Sequence, residues 1–203
     1  MTQIKTQTMT QTMTQALNQD SWIRAWRFAA QVHLDQTFSG TELPYLTHLG
    51  LVAMEILAAH AQAPLDDADL AMHCAILHDV VEDQAVAPAT LAAMFGQPVA
   101  DGVAALSKDR AVPKHDAIGD SLRRIRLQPH AVWCVKLADR ISNLQAPPPH
   151  WSAEKIALYR AEAGLILSTL GEANAWLAAR LQQKIDAYPP PRDAAPPTWP
   201  AAV

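Results

Sequence analysis

Residues 75–83 read Ala75-Ile76-Leu77-His78-Asp79-Val80-Val81-Glu82-Asp83, and this stretch decides how the rest of the chain is interpreted. Four ionisable side chains stand in an apolar run that is otherwise typical of a buried helix. Burying several unpaired carboxylates together is costly, and a metal ion removes that cost because imidazole and carboxylate are among its usual ligands. We therefore predict a metal site built into a helix, with His78 and Asp79 as ligands. Residues three and four apart share a helix face, which places Glu82 and Asp83 one turn beyond.

Two ligands are too few for a metal ion that takes part in chemistry, so further ligands are expected elsewhere in the chain. His48 follows Pro44-Tyr45-Leu46-Thr47 at the predicted start of a helix, and Asp139 lies in the apolar stretch Val135-Lys136-Leu137-Ala138-Asp139. Either residue alone would more often be a satisfied polar group. Together the candidates run His48, His78-Asp79, Asp139, with spacings of 30 residues (78 − 48) and 60 residues (139 − 79).

This order resembles the HD superfamily of metal-dependent phosphohydrolases. Four segments carry the resemblance, in the same order along the chain: residues 30–36, 44–48, 76–83 and 136–144. Together they are similar to the hydrolase domain of the Rel/SpoT-type alarmone enzymes, and especially to the small single-domain alarmone hydrolases, over roughly residues 22–188. The resemblance implies an all-α HD-domain helical bundle that removes the 3′-pyrophosphate from guanosine tetra- or pentaphosphate.

The resemblance also implies a role for each matching residue. The metal ligands are His48, His78, Asp79 and Asp139, the catalytic residues are Glu82 and Asp83, and the substrate contacts are Tyr45, Lys108, Lys136, Arg140 and Asn143. Imidazoles with two carboxylates suit a hard first-row divalent ion, so we expect Mn²⁺, while iron, zinc and magnesium stay open. The expected partner is a small-molecule nucleotide.

One element departs from the family pattern. The relatives follow the His-x-x-Gln element with an Arg-Lys pair beside the base, whereas Gln36 is followed here by Thr37 and Phe38. Phe38 could stack on a base, a contact that contributes about 1–3 kcal/mol. We therefore expect weak discrimination between bases. Two alternatives stay open: another phosphorylated nucleotide as substrate, such as an adenosine alarmone or a dinucleotide phosphate, and a nucleotide-binding HD module without turnover.

Length and composition bound the class of protein. The chain has 203 residues, half of them hydrophobic, and only seven glycines, which favours a single domain made of helices. A net charge of −4 predicts no general attraction to nucleic acid or membranes. Cys74 and Cys134 are expected to be reduced, buried thiols. We expect a cytoplasmic protein, since no signal peptide or long apolar span is visible, and the sequence leaves a homo-oligomer possible.

The predicted organisation is one domain between two tails. Residues 1–19 repeat Thr, Gln and Met and predict a disordered tail, residues 20–188 form the hydrolase domain, and residues 189–203 form a proline-rich tail. Roughly eight to ten helices are expected in the domain. Asp20 or Ser21 is expected to cap the first helix, and the helix that carries the metal residues is expected to run from about Ala68 to His78.

Overall fold

Residues 18–190 are described by a computed structural model of the chain. The two predicted tails lie almost wholly outside these residues, in 1–17 and 191–203. The helices of the described part are α1 Gln19–Val32, α2 Leu46–Gln62, α3 Ala68–Leu77, α4 Pro88–Phe95, α5 Gln97–Leu106, α6 Ala117–Ile125, α7 His130–Asn143, α8 Ala153–Leu170 and α9 Ala175–Asp186, with a short 3-10 helix at Gly171–Ala173. The predicted all-α class and helix number are confirmed.

Side-chain caps fix where several of these helices begin. Asn18, Asp67, Ser152 and Asn174 each accept a hydrogen bond from a backbone N–H of the first turn of α1, α3, α8 and α9, respectively. The cap of α1 is therefore Asn18, and the prediction of Asp20 or Ser21 was wrong. The cause is local: the side chain of Asn18 accepts from the N–H of Ser21 at 3.1 Å, which puts Ser21 inside the first turn.

Helix α3 is the centre of the domain. It packs against α1, α2, α5 and α7, and all its residues from Leu70 to Leu77 are buried. Gly102 of α5 allows the close approach on one side, because a Cβ there would lie 2.8 Å from Sγ of Cys74 and 3.0 Å from a methyl of Val132. Helices α2 and α7 also pack on each other. The three helices that carry the predicted ligands are thus mutual neighbours.

Helix α3 ends at Leu77, so the metal residues do not continue a helix as predicted. Residues 78–84 form a series of turns, with the N–H of Val80 donating to the carbonyl of Leu77 and that of Asp83 to the carbonyl of Asp79. No described helix combines the length and apolarity needed to cross a bilayer.

Candidate metal centre and active site

Three neighbouring helices bring the four predicted ligands to one point. His48 lies in the first turn of α2, His78 and Asp79 directly follow α3, and Asp139 lies near the end of α7. His48, His78 and Asp139 are buried, and each offers one ligand atom within 4.8 Å of the others. Asp79 joins them through Oδ2, which lies 2.9 Å from Nε2 of His78 and 3.6 Å from Nε2 of His48.

The spacing of these atoms fits a metal ion. Nε2 of His48 lies 3.1 Å from Nε2 of His78 and 3.4 Å from Oδ1 of Asp139, while His78 Nε2 and Asp139 Oδ1 are 3.8 Å apart. Ligands about 2.1 Å from a metal are separated by about 3.0 Å at an octahedral edge and about 3.4 Å at a tetrahedral edge. The separations of 2.9–3.8 Å therefore suit one central ion.

Hydrogen bonds outside the centre aim both imidazoles at it. Nδ1 of His78 lies 2.9 Å from the carbonyl oxygen of Ala75, which only accepts, so Nδ1 carries the proton. Nδ1 of His48 lies 3.1 Å from the hydroxyl of Ser142. Nε2 of each ring therefore faces the centre, where it can bind a metal ion or share a proton with a carboxylate. Ser142 is a site residue that the sequence analysis missed.

The ionisation of the centre follows from the same contacts. Burial lowers the pKa of His48, but its hydrogen bonds with Asp139 and Asp79 outweigh burial and raise the pKa to about 9. Burial raises the pKa of both carboxylates, yet His78 and His48 lower that of Asp79, and Lys136 and the histidines hold that of Asp139 well below its usual range. Two ionised carboxylates thus require positive charge here, from protons or from a divalent ion.

Three further predicted residues hold the ligand carboxylates. Lys136 donates from Nζ to Oδ2 of Asp139 at 2.8 Å, and Asn143 donates from Nδ2 to Oδ1 at 2.6 Å. The hydroxyl of Tyr45 donates to Oδ2 of Asp79. Such partners orient metal ligands and set their basicity. All three side chains therefore contact carboxylates of the candidate metal site.

A polar cavity of about 180 Å³ opens beside the centre. It is lined by Tyr45, His78, Asp79, Glu82, Asp83, Leu106, Lys108, Lys136, Asp139 and Asn143. Both oxygens of Glu82 are engaged by Lys108, which donates its backbone N–H and its Nζ at 2.8 Å each. Pockets for drug-sized molecules usually exceed about 300 Å³, so this cavity accommodates the reacting end of a substrate and not a whole nucleotide.

Arg140, a predicted substrate contact, does not line this cavity. Its guanidinium lies 4.2 Å from the ring of Tyr159 and 3.5 Å from a carboxylate oxygen of Glu162. The reason is helix geometry. Lys136, Asp139 and Asn143 recur at intervals of three and four residues and share a face of α7, whereas Arg140 is offset by about 100°.

The ring of Phe38, for which we considered stacking on a base, contacts the candidate metal site. Its ring stacks on the imidazole of His48, with centroids 5.4 Å apart and planes inclined by 19°. That face of the ring is therefore used to cover a metal ligand. Gln36, two residues earlier, donates to Oδ2 of Asp83 at 2.7 Å. The His-x-x-Gln element is visible in the sequence, but its residues do not predict the contact between Gln36 and Asp83.

Comparison with known proteins agrees with this geometry. A family model described as the HD domain matches residues 25–174, which include all four predicted ligands. The chain belongs to the HD domain family. Two relatives named guanosine-3′,5′-bis(diphosphate) 3′-pyrophosphohydrolase MESH1 are similar over most of their length. That of Xenopus tropicalis is 31% identical over 78% of this chain and 89% of its own, and that of Danio rerio is 29% identical over 77% and 87%.

Longer HD proteins are similar over a smaller part of the chain. The bifunctional (p)ppGpp synthase/hydrolase SpoT of Escherichia coli is 34% identical over 60% of this chain, which corresponds to 17% of its own length. A solved structure of a metazoan orthologue of SpoT, described as hydrolysing ppGpp, superposes with a TM-score of 0.72 over 85% of this chain and 97% of its own, at 24% identity. The fold of the described residues is therefore that of an HD domain.

Proposed function

We propose that this HD protein is a metal-dependent hydrolase that removes the 3′-pyrophosphate from guanosine 3′,5′-bis(diphosphate) and its pentaphosphate counterpart. One observation carries the proposal: the ligand atoms of His78, Asp79 and Asp139, which converge with that of His48, border a cavity that is also lined by Glu82, Asp83, Lys108 and Lys136. Acid–base groups, cations and a metal site are what hydrolysis of a phosphoric ester requires. The choice of guanosine 3′,5′-bis(diphosphate) as the substrate is based on the names of the two MESH1 relatives.

His48, His78, Asp79 and Asp139 would hold the ion, for which we propose Mn²⁺. Two neutral nitrogens and two carboxylate oxygens form a ligand set that suits a hard first-row divalent ion. When bound, such an ion supplies Lewis acidity at the phosphate and lowers the pKa of a bound water. The residues of the chain then have to position the substrate and transfer one proton from the attacking water to the leaving oxygen.

Glu82 is the proposed acid–base group. As water adds to the phosphorus attached to the ribose 3′-oxygen, a carboxylate oxygen of Glu82 takes the water's proton, and the bond from phosphorus to the 3′-oxygen breaks. Glu82 returns this proton to the 3′-oxygen, which leaves with the nucleotide as a hydroxyl group, and pyrophosphate is released. Asp83, next in the chain, orients the water. Lys108 and Lys136 line the same cavity and offset the charge that develops on the phosphate.

A related function, hydrolysis of another phosphorylated nucleotide, is favoured by one observation. Thr37 and Phe38 occupy the place of the family's basic pair, and Phe38 covers His48. We therefore propose weak selection between guanine and adenine. A pure binding module is disfavoured, because such a module needs no acid–base carboxylate at a metal site. A nucleotide substrate and the two buried free thiols, Cys74 and Cys134, fit a cytoplasmic protein.

The test is a nucleotide panel run with defined metals. Protein stripped with a chelator is reloaded with Mn²⁺, Mg²⁺, Zn²⁺ or Fe²⁺ and given guanosine and adenosine 3′-pyrophosphates and a dinucleotide phosphate. We expect pyrophosphate release with Mn²⁺, none in the chelator, and kcat/KM values for the two bases within about tenfold. Absence of hydrolysis with every metal and substrate would overturn the proposed activity, and a preference beyond a hundredfold would overturn the weak selection.

A further inference from the structure

The side chain of Gln36 connects the segment after α1 to the carboxylate of Asp83. Its Nε2 lies 2.7 Å from Oδ2 of Asp83, and its Oε1 lies 2.7 Å from Nδ1 of His33 and also accepts from Nε2 of Gln84. A carboxylate accepts only, so the amide NH₂ has to face Asp83 and the amide oxygen has to face the two donors. These contacts fix the orientation of Gln36 and place the His33 proton on Nδ1.

A buried histidine with an unpaired ring nitrogen, as at His33, is unfavourable for a purely structural position. It is 2% exposed, and its Nε2 has no hydrogen-bond partner among the described residues. A buried polar atom left unpaired costs free energy, whereas an apolar side chain would fill the same space without that cost. Burial lowers the pKa of His33, which keeps the ring neutral with a single N–H. That N–H is directed at Gln36.

The neighbouring carboxylates of Glu82 and Asp83 accept hydrogen bonds from different segments of the chain. Glu82 is held by Lys108 from the segment after α5, and Asp83 is held by Gln36 from the segment after α1. Asp83 is exposed and lies in the turns that follow α3, where no helix restricts its side chain. A donor on one oxygen of a carboxylate leaves the other oxygen available.

We propose that Gln36 is a positioning residue: backed by His33 and Gln84, its amide holds the carboxylate of Asp83 in the orientation that aligns the attacking water. This inference rests on the proposed hydrolase function. It predicts that Gln36 acts on the reaction only through Asp83. Displacement of a group at the reacting centre by about 1 Å can cost about 10²-fold in rate, which sets the scale of the effect.

The experiment is a double-mutant cycle on metal-loaded protein with guanosine 3′,5′-bis(diphosphate). Gln36→Met keeps the length of the side chain and removes both hydrogen-bonding groups. We expect kcat to fall by about 10–10²-fold with KM and Mn²⁺ content nearly unchanged. In an Asp83→Asn background the same replacement should have little further effect. His33→Phe keeps an aromatic ring and removes the N–H, so a smaller fall in kcat is expected.

Gln182→Met is the matched control, because Gln182 donates to Asp186 at 2.8 Å within α9, outside the cavity. Its kcat should equal that of the wild type. Wild-type kcat in Gln36→Met would overturn the positioning role, as would an equal loss in the presence and absence of Asp83, which would indicate a general structural effect. A wild-type protein inactive on the whole panel would overturn the proposed function, and this inference with it.

Discussion

Replacement of Tyr45 by Phe tests how the metal centre is built. The substitution removes one hydroxyl, which donates to Oδ2 of Asp79, the oxygen that also lies 2.9 Å from Nε2 of His78. The ring stays, and with it the stacking on His33, whose centroid is 4.8 Å away. The perturbation is therefore confined to one hydrogen bond on one proposed ligand.

The size of the effect follows from that bond. A hydrogen bond to a charged group contributes about 1.5–3 kcal/mol, and each 1.4 kcal/mol is about tenfold in a dissociation constant. Losing an outer partner of a metal ligand typically weakens metal affinity by about 10–100-fold. We therefore expect the Kd for Mn²⁺ to rise by about 10–100-fold in Tyr45→Phe.

The assay is calorimetric titration of chelator-stripped protein with Mn²⁺ at one pH. Tyr188→Phe is the matched control, since Tyr188 follows α9 and does not line the cavity. An unchanged Kd in Tyr45→Phe would show that the hydroxyl does not hold the ligand. A raised KM with an unchanged Kd would instead indicate the substrate contact that the sequence predicts for Tyr45.

Three further predictions address catalysis, ionisation and packing. Glu82→Gln should keep the metal and lower kcat by about 10²–10⁴-fold, and loss of substrate affinity without loss of kcat would contradict its acid–base role. In chelator, the raised pKa of His48 contributes stability that is fully present below about pH 6.5 and is lost as the pH rises through about 9. The Tm of the metal-free protein should therefore fall as the pH is raised across that window. A Tm that does not change with pH would contradict this prediction. Gly102→Ala should lower the free energy of unfolding by about 1–3 kcal/mol because its Cβ would meet Cys74 and Val132, whereas Gly119→Ala, which has open space, should not; thermal unfolding compares the two.

His78 and Asp79 could be proposed as ligands from the sequence because charged side chains within an apolar run need an explanation, whereas His48 and Asp139 follow largely from the resemblance to the HD superfamily. His48, His78 and Asp139 are buried beside one another as expected. The end of α3 was predicted to within one residue, but the turns at 78–84 could not be predicted, because those residues include no glycine or proline. The turns after it carry contacts from far along the chain, from Tyr45 to Asp79 and from Lys108 to Glu82, and such contacts are invisible to local periodicity.

The different direction of Arg140 from that of Asp139 could be predicted from helix geometry. The intervals that put Lys136 and Asn143 on the face of Asp139 exclude a residue directly adjacent to Asp139. The contact of Gln36 with Asp83 was not predictable, because the two residues are 47 apart and neither lies in a helix. Pairing of loop residues depends on how the helices between them pack, and local patterns in the sequence do not show that packing.

The charges around the cavity bear on substrate selection. Four carboxylates line it, those of Asp79, Glu82, Asp83 and Asp139, against two ammonium groups, those of Lys108 and Lys136. With neutral histidines the side chains sum to −4 + 2 = −2, so a bound divalent ion brings the cavity to zero. The whole chain carries a net charge of −4, so no long-range field attracts a polyphosphate.

Affinity for the substrate then has to come from directed bonds to the ion and the two lysines. Both lysines and Asn143 already engage carboxylates, and none of these contacts depends on the identity of a base. Strong selection for guanine would require paired polar groups beyond this cavity, at the place where the chain carries Thr37 and Phe38.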